Sequence, residues 1–137
     1  MEKYEDKIKK YKIENNFVSE IKIPPGAEDV YESGDLKKLK SLKIVNMAET
    51  SIKELKTDKL PESIEEICAG WCEKLKKYSL KGLKNLKTLE IAGSGIKKLS
   101  PEDLPESLEK LVVSNDQDMS EIRKDPRFKK LEIKNLW

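Results

Sequence analysis

Apolar residues recur along this chain in one short phrase: apolar, two polar, apolar, one variable, apolar. The central apolar residues of its six copies are Ile21, Leu42, Ile67, Leu89, Leu111 and Leu131, at intervals of 21, 25, 22, 22 and 20 residues. Because side chains alternate along a strand, the central and last apolar residues of each copy face one side. One strand cannot bury that side alone, so the phrase predicts copies stacked as a parallel sheet.

The segments between the phrases contain isolated apolar residues and prolines. One of them reads Ile96-Lys-Lys-Leu99, then Ser100-Pro-Glu-Asp-Leu104 and Pro105. This composition favours an extended or 3-10 return over a long helix. We therefore predict an α/β solenoid, with a parallel β-sheet on the concave face of an arc and extended or 3-10 returns on its convex face.

The segment Leu86-Lys-Thr-Leu-Glu-Ile-Ala-Gly-Ser-Gly-Ile96-Lys-Lys-Leu99 resembles the leucine-rich-repeat family. The fragments Leu60-Pro-Glu-Ser-Ile64 and Leu104-Pro-Glu-Ser-Leu108 are loosely similar to bacterial leucine-rich-repeat effectors. The family places Asn, or sometimes Cys or Thr, where each strand ends. Here we assign that column to Met47, Cys72, Ser94 and Asp116, and this mixture leads us to expect irregular turns and a distorted arc.

The solenoid is predicted to cover residues 18–137 as part of a single domain, with residues 1–17 forming an N-terminal capping hairpin strand. The turn-forming run Glu14-Asn-Asn16 between two alternating segments supports that cap. At the other end, two arrangements remain open for the edge strand. Leu136 and Trp137 fold over it in the monomer that we favour, or it meets a second chain in an edge-strand dimer.

The composition argues against most enzymatic chemistry. The chain contains no His, and its 28 Lys+Arg nearly balance its 26 Asp+Glu. The acidic residues are interleaved with lysines along the sequence, which is typical of a solvated surface. We predict no enzymatic activity, no cofactor and no metal site. Cys68 and Cys72 face different ways in the predicted register and form no disulfide. The charged N-terminus and low cysteine content favour a cytoplasmic protein without a membrane partner, although a nuclear location remains open.

The outward face of the predicted sheet is the expected binding surface for another protein. Trp71 is its most distinctive residue, because tryptophan is enriched in interface hot spots. The alternative is that an irregular turn folds Trp71 into the core. The residues predicted to contact a partner are Trp71, Lys43, Val45, Asn46, Cys68, Glu90, Val112 and Asn115.

A lysine-rich flank provides an alternative function. It comprises Lys74, Lys76, Lys77, Lys81, Lys84 and Lys87, opposed only by Glu73. Such a flank could dock on RNA or a ribonucleoprotein through phosphate contacts, although we favour a protein partner over nucleic acid. A further alternative is the substrate-recognition part of an effector ligase whose catalytic domain is absent. The predicted function is a non-enzymatic scaffold, adaptor or recognition module.

Overall fold

The main structural element is a six-stranded sheet in which all neighbouring strands are parallel. A computed structural model of the chain describes residues 18–136, so the predicted cap at 1–17 and Trp137 lie outside the described residues. The strands are β1 (Glu20–Lys22), β2 (Ile44–Asn46), β3 (Glu54–Lys56), β4 (Glu66–Cys68), β5 (Lys77–Ser79), β6 (Thr88–Glu90), β7 (Lys110–Val113) and β8 (Glu132–Asn135). The main sheet has the order β1-β2-β4-β6-β7-β8, and β3 pairs with β5 in a separate parallel sheet.

One apolar residue from each strand of the main sheet contributes to an interior row. This row consists of Ile21, Val45, Ile67, Leu89, Leu111 and Ile133. From Val45 onward, its members are 22 residues apart. All but Ile133 are at most 6% exposed. The predicted α/β repeat fold with a parallel sheet is therefore confirmed, and each repeat contributes one strand to a shared core.

The predicted register of the second repeat is wrong by three residues. Val45, not Leu42, pairs with Ile67. The sequence allows both assignments because Leu39, Leu42 and Val45 are apolar at three-residue intervals. In the structure, Leu39 directly follows a 3-10 helix at Asp35–Lys38 and therefore lies outside the strand. Val45 is consequently a core residue with 0% exposure, and the prediction that it contacts a partner is wrong.

The last repeat also differs from the prediction. Ile133, not Leu131, pairs with Leu111. Strand alternation alone could not distinguish the two, because residues two apart face the same side. With both corrections, the spacing of these core residues is even from Val45 to Ile133, whereas the first interval, from Ile21 to Val45, is longer.

The polar column at the strand ends begins at Thr50 and not at Met47. Met47 continues the inward face of β2 and is 0% exposed. The Thr50 hydroxyl donates to the Met47 carbonyl at 2.7 Å, and the Cys72 thiol donates to the same carbonyl at 3.1 Å. Side chains of this column therefore satisfy backbone groups that would otherwise be buried without a hydrogen bond.

Gln117 makes the corresponding contacts further along the stack. Its side-chain nitrogen donates to the carbonyls of Ile91 and Ile96, both at 2.9 Å, and to the Ser94 hydroxyl at 3.1 Å. Its side-chain oxygen accepts from the backbone N–H of Ser114 at 2.9 Å. One buried amide thus connects two consecutive turns.

The return segments are short, as predicted. They contain helices α1 (Asp29–Glu32) and α2 (Ser120–Lys124) and 3-10 helices at Asp35–Lys38, Thr57–Lys59, Pro101–Asp103 and Pro126–Phe128. No helix in residues 18–136 is long and apolar enough to cross a bilayer.

Two tyrosine hydroxyls join neighbouring returns. The hydroxyl of Tyr31 accepts from the N–H of Lys56 at 2.8 Å. The hydroxyl of Tyr78 accepts from the N–H of Ser100 at 2.6 Å and donates to the carbonyl of Ser100 at 2.9 Å. Burial raises the pKa of both phenols, that of Tyr78 to about 12. Both hydroxyls therefore stay protonated at neutral pH.

Candidate functional site

Three central strands of the main sheet are followed by a residue in the left-handed backbone conformation. These residues are Glu49, Trp71 and Gly93, with φ of 63°, 62° and 73°. The N–H of Glu49 donates to the Gly70 carbonyl at 2.9 Å, and the N–H of Trp71 donates to the Ala92 carbonyl at 2.8 Å. The backbone ladder therefore continues past the strands. A bulky residue rarely adopts this conformation, because its Cβ crowds the backbone.

The indole of Trp71 lies against Gly93 of the next repeat. A Cβ atom on Gly93 would overlap the indole atoms Cε3 and Cζ3. The Trp71 side chain nevertheless remains exposed, at 41% of the residue surface. Trp71 is thus at the surface, and the alternative that it belongs to the core is wrong.

Trp71 borders a groove of about 470 Å³ at the carboxyl ends of the strands. The groove is lined by Glu49, Thr50, Ser51, Trp71, Glu73 and Lys74. It combines one large aromatic surface with two carboxylates, one ammonium group and two hydroxyls. Such a groove can hold an apolar side chain against the indole and hydrogen-bond the polar groups around it.

The outer face of the main sheet lies beside this groove. One row across that face consists of Lys22, Asn46, Cys68, Glu90, Val112 and Lys134. The Cys68 thiol donates to a carboxylate oxygen of Glu90 at 3.2 Å. Burial is the main cause that raises the pKa of Cys68, to about 11. The thiol is therefore protonated at neutral pH and is a weak nucleophile.

The structure brings some of the predicted contact residues together and separates others. Cys68 and Glu90 are neighbours on the outer face, as predicted. Asn46 lies in the same row beside Cys68, whereas the predicted register placed it beyond the strand, beside Trp71. Val112 belongs to the same row but is only 7% exposed, so its prediction as an accessible contact is wrong. Lys43 precedes β2 and lies outside this row, because the strand begins later than the sequence predicted. Its ammonium group forms an ion pair with Glu65 at 3.2 Å.

Asn115 is exposed and follows Gly93 by one period of 22 residues, beyond the end of β7. It therefore extends the column of Glu49, Trp71 and Gly93 by one repeat. Sequence reasoning missed Glu49, Glu73 and Lys74 as lining residues of the groove. A tryptophan gives no sign of a left-handed backbone, and the turn that directs these side chains together was consequently not predictable.

Only part of the predicted lysine flank comes together. Lys74, Lys76 and Lys77 line a second groove, of about 680 Å³, with Lys53, Glu54 and Glu73. Lys81 and Lys84 lie between β5 and β6, and Lys87 immediately precedes β6. Lys53 was missed because it comes from the preceding repeat. With two carboxylates among its lining residues, this groove carries both signs of charge.

Within residues 18–136, no group of three or more His, Cys, Asp and Glu side chains could hold a metal ion. The comparison with curated proteins gave no match. Residues 4–116 match a family described as the Endo-beta-N-acetylglucosaminidase EndoS LRR domain. That match spans most of the chain, and the interior row of the parallel sheet recurs with the period that leucine-rich repeats require. The chain belongs to this leucine-rich-repeat family.

Proposed function

We propose that this chain is a non-enzymatic protein-binding module whose partner contacts the indole of Trp71 and the groove beside it. The single observation that carries the proposal is the backbone conformation and the exposure of Trp71. Its backbone is left-handed, its ring is stacked on Gly93, and the side chain is 41% exposed. Family membership supports an interaction module, because leucine-rich repeats offer a broad sheet face for binding.

The backbone of Trp71 is costly for folding. A non-glycine residue in a sparsely populated backbone region costs on the order of 1–3 kcal/mol, and such strain is concentrated at functional sites. Glycine would avoid this cost at position 71, as it does at Gly93. A strained and exposed tryptophan therefore contributes less to stability than glycine or asparagine could at the same position. Its large surface is better suited to a binding role.

The chemistry of the groove defines the kind of partner segment. An apolar side chain would pack against the indole and exclude water from it. Around this contact, Glu49 and Glu73 offer carboxylates to a basic group, and Lys74 offers an ammonium to an acidic one. A partner segment with an apolar residue flanked by charges of both signs fits this arrangement.

The absence of catalysis is also proposed, and the chemistry of Cys68 supports it. Of the two cysteines, Cys72 is buried and Cys68 is half-buried, and the raised pKa of Cys68 keeps it in the thiol form. Its hydrogen bond is to a carboxylate, which favours the protonated form still further. The thiol therefore acts as a structural hydrogen-bond donor on the outer face.

The test is a comparison of two surface variants as baits in the native source. Trp71→Ala removes the proposed anchor, and Leu136→Ala removes the other large exposed hydrophobic side chain in residues 18–136, at the far end of the sheet. We expect the wild-type chain and Leu136→Ala to retain the same protein partner and Trp71→Ala to lose it. Each bait is first shown by circular dichroism and urea unfolding to be folded.

Direct contact is measured by fluorescence. In a Trp137→Phe background, Trp71 is the only tryptophan of the chain. Adding the isolated partner should shift its emission to shorter wavelength and protect it from acrylamide quenching. An unchanged emission together with full binding by Trp71→Ala would refute the proposed contact.

The second groove supports a second candidate function. Its lysines, Lys53, Lys74, Lys76 and Lys77, converge from two repeats and could contact the phosphates of an RNA. Phosphate contacts predict affinity that falls steeply with salt concentration, whereas an indole anchor predicts weak salt dependence. Binding of a labelled single-stranded RNA by wild type and by Lys76→Glu, measured at two salt concentrations, distinguishes the two.

A further inference from the structure

Strand β8 has one neighbouring strand in residues 18–136, and its other edge is open. The N–H of Glu132 donates to the Glu109 carbonyl at 3.0 Å, and the N–H of Leu136 donates to the Val113 carbonyl at 2.9 Å. Hydrogen-bonding residues alternate along a parallel strand, so even-numbered residues face β7. The N–H and C=O groups of Ile133 therefore point to the open edge.

Apolar side chains are less covered at this edge than elsewhere in the sheet. Ile133 is half-buried, whereas its counterparts in the other five strands are at most 6% exposed. Leu136 is 40% exposed and continues in line with β8 toward Val113. An edge strand with free backbone groups and accessible apolar side chains is a template for pairing with another strand.

We propose that β8 pairs in the antiparallel direction with β8 of a second copy of this chain, with the two-fold axis at Ile133. In that register the two Ile133 residues face each other and exchange both backbone hydrogen bonds. Glu132 of each copy then lies opposite Lys134 of the other, on the outer face. The strand is thus complementary in charge to itself, and two identical ion pairs form at once.

Charge also opposes the head-to-tail alternative. If β8 paired in parallel with β1 of another copy, the sheet register would place Ile133 beside Ile21. The row that joins Lys110 to Glu132 would then continue to Glu20, and the row that contains Lys134 would continue to Lys22. Both outer contacts would be between like charges, which destabilises strand pairs. The two-fold arrangement closes as a dimer and offers no further β8 edge.

The test is sedimentation velocity on the 137-residue chain at low salt, at concentrations up to about 1 mM, because an interface of one strand pair is small and typical of weak association. We expect a monomer–dimer equilibrium without larger species. Glu132→Lys places lysine opposite lysine at both ion pairs, and Lys134→Glu places glutamate opposite glutamate. Each single variant should raise the dissociation constant about tenfold or more.

Two further samples separate pairing from a general charge effect. The swapped variant E132K/K134E restores both opposite-charge pairs and should recover the wild-type dissociation constant. A mixture of the two single variants should form a heterodimer that is tighter than either homodimer. The matched control is Glu121→Lys, which makes the same change of charge at an exposed residue of α2 and should leave dimerisation unchanged.

Several results would overturn the proposal. A chain that stays monomeric over the whole concentration range has no β8 dimer. A dimer that the single variants and the swapped variant leave equally tight uses another surface. Oligomers that grow beyond two copies would indicate head-to-tail stacking. None of these results bears on the partner surface at Trp71, because the indole and β8 lie at different positions of the sheet.

Discussion

Replacing Gly93 by alanine tests the central geometry of the candidate site. The substitution has two separate costs. At φ +73°, the added Cβ destabilises the backbone by about 1–2 kcal/mol. The same Cβ overlaps the indole of Trp71, which must rotate away and lose its contact. If the displaced ring exposes about 40 Å² of apolar surface, the second cost is about 1 kcal/mol. We expect a total loss of about 2–3 kcal/mol.

A matched glycine separates the two costs. Gly34 is also left-handed, with φ +84°, but a Cβ built on it meets no atom within 4 Å. Gly34→Ala should therefore have only the backbone cost. Urea unfolding of both variants gives the free energy of unfolding, and the excess loss in Gly93→Ala measures the indole contact. In a Trp71→Ala background, that excess should disappear, because the two residues act as a coupled pair.

Fluorescence provides an independent measurement. With Trp137 replaced by phenylalanine, the emission of Gly93→Ala should shift to longer wavelength and become easier to quench with acrylamide, because the displaced indole is more hydrated. The reasoning is refuted if Gly93→Ala destabilises the chain no more than Gly34→Ala and leaves the emission unchanged. In that case the ring does not rest on Gly93.

Three further substitutions, the first with a matched control, test the packing and the hydrogen bonds of the repeats by urea unfolding. Leu89→Ala removes a fully buried side chain and should cost about 2–5 kcal/mol, whereas Thr88→Ala on the outer face of the same strand should cost less than about 1 kcal/mol; equal costs would contradict the register. Gln117→Ala removes an amide whose two N–H protons are shared among three acceptors inside the stack, and it should cost about 2–3 kcal/mol; a loss below about 1 kcal/mol would mean that water replaces the amide. Tyr78→Phe removes the hydrogen bonds to Ser100. Burial raises the pKa of Tyr78 in the folded chain above its value in the unfolded chain. The stabilisation that this shift provides is therefore complete below about pH 10 and is lost as the pH rises toward 12. Over that range the free energy of unfolding of Tyr78→Phe should fall less steeply than that of wild type. An identical slope would show that the Tyr78 hydroxyl is not protected.

The spacing of apolar residues was sufficient to predict the fold. Four copies of the phrase were centred on the residue that lies in the interior row, namely Ile21, Ile67, Leu89 and Leu111. The second copy was misplaced because Leu39, Leu42 and Val45 are equally apolar, and only the backbone shows which of them belongs to the strand. A stricter use of the period would have found the error, since 22 residues before Ile67 is Val45.

The candidate site was predictable only in part. The register correctly predicted exposure of Trp71 and the outward positions of Cys68 and Glu90. It did not predict the left-handed turn, because glycine and asparagine are the residues that indicate a positive φ in a sequence, and position 71 is a tryptophan. The indole contact with Gly93 follows from that turn, and contacts between side chains of different repeats depend on its three-dimensional path.

The central position of β4 in the order β1-β2-β4-β6-β7-β8 has a consequence for dynamics. In a stack where each repeat touches only its neighbours, thermal fraying starts at the ends and moves inward. Amide protons of β4 and of the turn at Trp71 should therefore exchange with deuterium later than those of β8. A partner that binds at Trp71 would therefore contact the part of the sheet that unfolds locally most slowly. Partial unfolding at either end of the sheet would leave this contact surface intact.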